Sequence, residues 1–412
     1  MSMNTVPERL AALRAAMKAN GVDVYLIPVG DPHSSEYLPD HYTSLTYFSG
    51  FHGENSNFVV TKDKSAIWAD GRYFVQAEKQ LAGSTVMLYR MGEEGVPTVD
   101  EFVEKELPES GCIGFDGRVV NGSWGRKLLA IAEKKKGSLY VTEDLIDLIW
   151  KDRPALSKEP LFLLEEKYSG KSTADKIADL RKVMEKEGAN VHILTSLYDI
   201  AWLLNIRGGD IDYVPVILSY LVLTDKECIW FLQEEVVDEK IAAYLKENHI
   251  TTRPYDAIYD YVKEIPADAC VLMNGNTVNY RITSSLKKEI RIVDQPNPTE
   301  IMKAVKNPVE VENIRKAHVK DGVAFTKFMY WLKTNIGKIP MTEISASDYL
   351  EARRREQDNF IELSFDTICA YGPNAAMMHY AATPGSDAEL KPEGFLLVDS
   401  GGHYFEGTTD IT

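Results

Sequence analysis

The pattern of apolar and polar positions predicts a helix followed by a buried strand near the start of the chain. Leu10, Leu13 and Met17 are spaced so that they share one face of a helix. Gly21 follows at a position where a left-handed residue can end a helix, and the apolar residues 24–27 then predict a strand.

The same pattern returns 167 residues later. Ile177, Leu180 and Met184 repeat the helical face, Gly188 repeats the glycine, and residues 191–194 repeat the apolar run. This agreement of spacing and order indicates an internal repeat.

Later parts of the two stretches also match. Residues 59–61 and 66–68 predict a hairpin with a charged turn, and residues 222–224 and 228–230 predict a second hairpin of the same kind. We therefore expect an α/β protein in which two similar domains stand in tandem. The offset of 167 residues between the two copies is too long for the repeat of a solenoid protein.

Boundary signals divide the chain into three parts. The predicted domains are residues 1–155, residues 156–305, which repeat the first domain, and residues 306–412. The motif from Thr5 to Glu8 is a candidate capping box for the first helix.

The third part is predicted to open with a long helix. Asn307 can cap it, Pro308 suits its first position, and Glu310 favours the positive end of the helix dipole. The predicted buried face consists of Ile314, His318, Phe325, Met329 and Leu332. A second helix from Thr342 towards Asp358 and strands at 364–370 and 395–400 are expected next.

Composition and charge narrow the range of partners. Acidic residues outnumber basic ones by 62 to 46 among 412 residues, which gives a net charge of −16. Such a chain repels a phosphate backbone, so no nucleic-acid partner is expected. No apolar run reaches the roughly 20 residues of a membrane span, and the four cysteines are isolated, as in proteins of the reducing cytoplasm.

The segment from Asp399 to Thr412, which we call the aspartate hairpin, carries the clearest candidate chemistry. An apolar strand ends in Asp399, a glycine-rich turn follows, and a second strand carries Asp410. If the strands pair, both carboxylates can lie on one side, where a hard or borderline divalent cation would offset their repulsion. The alternative is an ordinary turn with two solvated aspartates.

The aspartate hairpin, DSGGHYFEGTTDIT, resembles the first metal-binding motif of X-Pro aminopeptidases of the creatinase/prolidase superfamily. The eleven-residue spacing of its aspartates and its GTTDIT ending both match. Further similar segments are residues 31–37, 69–73, 200–208 and 342–346, so the resemblance covers the whole chain. It implies two creatinase-type N-terminal domains followed by the first part of a "pita-bread" α+β catalytic domain.

The resemblance also implies roles for individual residues. Asp399 would be a terminal ligand of one metal, and Asp410 would bridge two divalent ions, with Mn²⁺ expected. His379 would contact the substrate near the scissile bond; the alternative is a satisfied buried histidine, because Met377 and Met378 look like core residues. Arg72 would contact the peptide, or else only form an ion pair with Asp70.

Two charged or titratable residues of the aspartate hairpin have no such match. His403 lies in a position that the family fills with varied polar residues, so we expect it to face solvent. Glu406 is interpreted as a charge of the hairpin turn.

The family's histidine ligand and two glutamate ligands lie downstream of the aspartate hairpin. The sequence therefore carries two aspartate ligands of the set, and we expect an N-terminal fragment that is inactive alone. The implied activity of the complete protein is metal-dependent hydrolysis of the bond before a proline in second position, in the cytoplasm and as a homodimer.

Two alternatives remain open at this stage. A prolidase would be restricted to dipeptides, but such enzymes usually have a single N-terminal domain. A non-catalytic relative would keep the fold as a protein-binding module, but such a module has no need of paired carboxylates.

Overall fold

The computed structural model describes residues 5–412. They form two compact units. The first unit comprises the described residues of Met1–Lys158, Asp179–Ile200 and Leu218–Pro298, and the second comprises Glu159–Ala178, Ala201–Ile217 and Thr299–Thr412.

The first unit contains two six-stranded mixed sheets of one topology. The first sheet has the strand order Met87–Arg90, Ser65–Ala69, Asn57–Thr61, Val24–Pro28, Cys112–Phe115, Ser138–Tyr140. The second sheet has the strand order Ile250–Pro254, Cys228–Leu232, Ser219–Thr224, Val191–Leu194, Cys270–Met273, Arg291–Asp294. In both sheets the second, third and fourth strands pair antiparallel and all other neighbours pair parallel. The predicted internal repeat and both predicted hairpins are confirmed.

Helices accompany the sheets at corresponding places in the chain. The first repeat contains Val6–Ala19, Ser44–Ser49, Phe74–Gln80, Val99–Glu106 and Gly122–Lys134. The second contains Thr173–Lys186, Leu197–Leu204, Glu239–Glu247, Ile258–Glu264 and Tyr280–Ser285. Short 3-10 turns lie at Asp40–Tyr42, Leu145–Leu148, Glu234–Val236, Tyr255–Ala257 and Gly372–Ala376.

The predicted capping box at the start of the first helix and the predicted left-handed glycines after the first helix of each repeat are both present. The side chain of Thr5 accepts a hydrogen bond from the Glu8 N–H, and the Glu8 carboxylate accepts one from the Thr5 N–H. Gly21 and Gly188 have φ angles of 67° and 66°, the left-handed conformation that lets the chain turn from helix to strand.

Among the contacts between the two repeats is a reciprocal backbone contact. The N–H of Gly122 donates to the carbonyl of Val278, and the N–H of Tyr280 donates to the carbonyl of Val120, both at 2.8 Å. These bonds form an isolated antiparallel bridge between Asn121 and Asn279.

The second unit is built on two helices that pack against each other, Pro308–Asn335 and Glu343–Arg355. Its shorter helices are Glu166–Ser169 and Pro298–Ala304. Its strands are Phe162–Leu163, Ile206–Arg207, Phe360–Leu363, Ile368–Tyr371, Leu396–Asp399, Gly402–Tyr404 and Gly407–Thr408. Phe328, Met341, Leu350, Cys369 and Leu390 form its apolar core.

The long helix begins as predicted but buries another face. Asn307 caps it with a complete capping box, and Pro308 is its first residue. Its buried residues are Asn313, Ala317, Asp321, Ala324 and Phe328. The predicted face is wrong in part: Phe325 and Leu332 pack against the core, but His318 and Met329 are exposed. Apolar periodicity misplaced it because two of the buried positions are polar.

A search for membrane spans among residues 5–412 found no helix that combines the necessary length with the necessary hydropathy.

Candidate metal and substrate site

The aspartate hairpin keeps one antiparallel register over its length. The N–H groups of Ser400 and Ile411 donate to each other's carbonyl oxygens at 3.0 and 2.9 Å. His403 pairs with Thr408 in the same register.

This register determines which side chains share a face. Asp410 lies opposite Gly401, and residues opposite each other in an antiparallel pair point to the same side. Side chains alternate along a strand, so Asp399 and His403 share the side of Gly401. The two aspartates therefore lie on one face of the hairpin, on diagonal positions, with His403 beside them.

Asp399 has a carboxylate oxygen that suits a cation. Its Oδ1 atom is buried, and within residues 5–412 no donor lies at hydrogen-bond distance from it. A buried anionic oxygen without a partner is costly unless a cation or another donor compensates it. Asp410 is exposed on the same face. Two carboxylates are hard oxygen donors, so these residues fit a divalent metal.

The described residues contain no cluster of three or more histidine, cysteine, aspartate or glutamate side chains arranged to hold a metal ion.

A buried ion pair supports the hairpin. Arg354 donates from Nε to Asp321 Oδ1 at 2.7 Å and from its guanidinium to Oδ2 at 3.1 Å. The same guanidinium donates to the Ser400 hydroxyl at 3.1 Å, and the Tyr404 hydroxyl donates to Asp321 at 3.0 Å. Both charged side chains are fully buried. The pair thus fixes the hairpin residue that follows Asp399, and sequence reasoning did not identify it.

Gly401 is required by the close approach of the two hairpin strands. A Cβ atom at this position would lie 2.0 Å from the carbonyl oxygen of Thr409 and 2.3 Å from the hydroxyl of Ser364. The hydroxyl of Ser364 in turn donates to the Thr409 carbonyl at 2.9 Å.

The prediction that His403 faces solvent is wrong. Its Nδ1 lies 2.7 Å from the Thr408 hydroxyl, and its Nε2 lies 2.8 Å from the carbonyl oxygen of Tyr213. Burial lowers the pKa of His403 to about 4, and the charge of Arg207 acts in the same direction. The ring is therefore neutral at pH 7, and its Nε2 donates to Tyr213.

Tyr213 is held in a left-handed conformation, with φ of 67°. Burial raises the pKa of its phenol to about 12, and the charges of Asp366 and Asp212 contribute. Burial also raises the pKa values of the Glu362 and Asp366 carboxyls, although both accept hydrogen bonds from Tyr213. Glu362 lies beside His403, with which it pairs across the strands Phe360–Leu363 and Gly402–Tyr404.

Glu406 lies in the hairpin turn, as predicted. It is more than a solvated charge, because Lys320 donates to it at 2.7 Å and Asn359 donates to it at 2.8 Å. Its side chain is nearly buried.

His379 lies in the segment that follows the strand Ile368–Tyr371. The residue is exposed and left-handed, with φ of 59°. The alternative of a satisfied buried histidine next to core methionines is wrong, since His379 is exposed and the exposed fraction of Met378 is 63%.

Arg72 lies in the first unit, where it pairs with Asp70. Its guanidinium donates to both carboxylate oxygens, and the shortest of these distances is 2.7 Å. These bonds lower the pKa of Asp70 and raise that of Arg72. The ion pair considered from the sequence is therefore present, and it fixes the orientation of the guanidinium.

Family models match nearly the whole chain. A creatinase/prolidase N-terminal domain matches residues 9–148, and a second model of that description matches residues 152–310. Metallopeptidase family M24 matches residues 312–412.

Curated relatives match at full length of the chain. A probable Xaa-Pro aminopeptidase P of Sordaria macrospora is 38% identical over all of this chain and 69% of its own length. A protein of the same description from Chaetomium globosum is 37% identical over 98% of this chain and 67% of its own. The chain thus spans about two thirds of the length of these relatives.

A solved structure has the same fold. The X-prolyl aminopeptidase of Caenorhabditis elegans, described as a cytosolic enzyme with a di-nuclear active site, superposes with a TM-score of 0.94 at 32% identity. The match covers 99% of this chain and 69% of that protein. The tandem repeat, the aspartate hairpin and these matches agree, and the chain belongs to the Xaa-Pro aminopeptidase P family of M24 metallopeptidases.

Proposed function

We propose that the full-length protein carrying this chain is a metal-dependent hydrolase that removes the N-terminal residue from peptides with proline in second position. The observation that carries the proposal is the buried, unpartnered Oδ1 of Asp399 on the hairpin face that also presents Asp410. Whole-chain similarity to Xaa-Pro aminopeptidases supports the choice of substrate.

Asp399 and Asp410 are the proposed metal ligands of this chain. Asp399 would ligate one of two divalent ions and Asp410 would bridge both, with Mn²⁺ as the expected metal. Bound ions would supply a nucleophile from water at neutral pH and charge stabilisation for amide hydrolysis. His403 supports the site because its neutral ring adds no positive charge next to the carboxylates.

His379 is the proposed substrate contact. Its exposed imidazole can donate a hydrogen bond to the carbonyl oxygen of the scissile bond, where negative charge grows during attack. For Arg72 we propose a contact with the peptide, and the ion pair with Asp70 orients its guanidinium for that contact.

Proline sets the chemical problem that this enzyme class solves. The bond before proline is a tertiary amide without an N–H, so a site that relies on that donor cannot hold it. We further propose the three predicted domains, residues 1–155, 156–305 and 306–412, and a cytoplasmic location and a homodimer for the full-length protein.

The test is hydrolysis by the purified full-length protein loaded with Mn²⁺. We expect release of the first residue from Xaa-Pro-Yaa tripeptides and none from matched Xaa-Ala-Yaa peptides. Asp399→Asn should lower both the activity and the amount of bound metal. Cleavage confined to Xaa-Pro dipeptides would point to a prolidase, and metal binding without any cleavage would contradict the proposal.

A further inference from the structure

We propose that Glu343 is a positioning residue for His379, and this proposal rests on the substrate role given to His379 above. Glu343 is the first residue of the helix Glu343–Arg355, and its side chain is fully buried. All its hydrogen-bond donors come from residues 371–388, which we call the His379 segment.

Backbone and side-chain donors meet on the Glu343 carboxylate. Its Oε1 accepts from the Tyr371 N–H at 2.6 Å, and its Oε2 accepts from the Ala388 N–H at 3.0 Å. The Asn374 amide reaches both oxygens at 3.1 Å, and the Tyr380 hydroxyl donates to Oε2 at 2.8 Å.

These bonds use the acceptor capacity of the carboxylate fully. A carboxylate offers about four lone-pair sites, and four donor groups occupy them here. A buried charge is tolerated when it is satisfied in this way, whereas a partly satisfied one is strongly unfavourable. The His379 segment is thereby held at its beginning, middle and end by one side chain.

The contact nearest to His379 is the most informative. Tyr380 follows His379 directly, is buried, and donates to Glu343. His379 has the left-handed φ of 59°, which persists in a residue with a side chain only where the surroundings impose it. Anchoring of Tyr380 on Glu343 supplies that constraint from the next residue.

The same side chain connects the segment to the proposed metal ligand. Tyr371, which donates to Glu343, ends the strand Ile368–Tyr371. This strand pairs with Leu396–Asp399, and Ile368 lies opposite Asp399. Glu343 therefore fixes the His379 segment to the strand pair that carries Asp399.

The main test replaces Glu343 by glutamine in the full-length protein. Glutamine keeps the shape but has one acceptor oxygen, and its NH₂ group faces donors. We expect kcat for an Xaa-Pro-Yaa peptide to fall roughly tenfold, with little change in KM or metal content. Glu356→Gln, on an exposed residue paired with Lys327, removes the same charge and should leave kcat unchanged.

A double-variant comparison separates positioning from general stability. If Glu343 acts through His379, Glu343→Gln should lower kcat little further in a His379→Ala background. Tyr380→Phe removes one bond to Glu343 without burying a new polar group, so it should give a smaller loss that also vanishes in that background. Tyr380→Phe therefore remains available as a test if the Glu343→Gln variant fails to fold.

A readout independent of catalysis is hydrogen exchange. Glu343→Gln should speed exchange in residues 371–388, and Glu356→Gln should not. The inference would be overturned if Glu343→Gln lowered kcat equally in the wild-type and His379→Ala backgrounds. It would also be overturned if Glu343→Gln left hydrogen exchange in the His379 segment unchanged. Absence of Xaa-Pro hydrolysis by the wild type, or full activity of His379→Ala, would instead contradict the proposed function.

Discussion

The guanidinium of Arg354 and the carboxylate of Asp321 form a two-point ion pair that is fully buried beneath the aspartate hairpin. Breaking a buried pair from one side leaves an uncompensated charge, which costs about 3–5 kcal/mol. Asp321→Asn should therefore lower the urea midpoint strongly.

The matched control uses an exposed pair between the long helix and the residue that follows the helix Glu343–Arg355. Lys327→Met removes the partner of Glu356 at the surface, where such pairs contribute at most about 1 kcal/mol. Similar midpoints for Asp321→Asn and Lys327→Met would show that the buried pair does not stabilise this unit.

The two aspartates should differ in their effect on metal content. Asparagine offers one neutral oxygen and an NH₂ that cannot ligate. Asp410→Asn removes the proposed bridge and should cost more metal and more activity than Asp399→Asn. His379→Ala should keep the metals and lower turnover. Native mass spectrometry and peptide hydrolysis measure both, and the reverse order would exchange the assigned roles.

Lys176 should make stability rise with pH above neutrality. It is buried, and its amine donates to the Trp202 carbonyl at 2.8 Å and to Asn205 Oδ1 at 2.7 Å. Burial lowers its pKa from 10.5 to about 7, so the unfolded state binds the extra proton between these values. The free energy of unfolding should increase there by up to about 1.4 kcal/mol per pH unit.

Urea unfolding at pH 7, 8 and 9 checks this against Lys176→Met, which cannot titrate. The wild type should gain stability relative to the variant as the pH rises. Parallel profiles would mean that the amine is charged in the folded protein.

His403 should give a pH dependence of the same sign in a window at acid pH. Burial lowers its pKa from 6.5 to about 4, so the unfolded state binds more protons between these values. Stability should fall as the pH drops through this window, by up to about 3 kcal/mol. His403→Gln should reduce the fall, measured in metal-free buffer by thermal unfolding from pH 7 to 4. An unchanged acid profile would contradict the assignment.

Periodicity was sufficient for much of the fold. Leu10, Leu13 and Met17 are buried as predicted, because an apolar stripe at helical spacing must find a core. It failed on the long helix, where Asp321 is buried through a partner 33 residues away. A buried charge carries no local signal, since its partner is brought to it by tertiary structure.

Prediction of the candidate site from the sequence was limited in the same way, by contacts that only the tertiary structure creates. Spacing and resemblance predicted the aspartate pair as ligands, and the register indicates that the two side chains share one face. The contacts of His403 and Glu343 depend on segments distant in sequence, Tyr213 and residues 371–388, so their burial was not foreseen. Met378 looked like core by composition, yet a loop fixed by polar contacts leaves it exposed.

The bridge between Asn121 and Asn279 has a consequence for assembly. The two asparagines cap equivalent helices of the two repeats, and each repeat gives and receives the same hydrogen bond. A contact in which equivalent residues pair reciprocally is isologous, the kind through which two identical subunits form a twofold dimer. The chain satisfies this self-complementary surface internally, so its first unit is a pseudo-dimer within one polypeptide. A second copy of the protein would have to associate through a different surface.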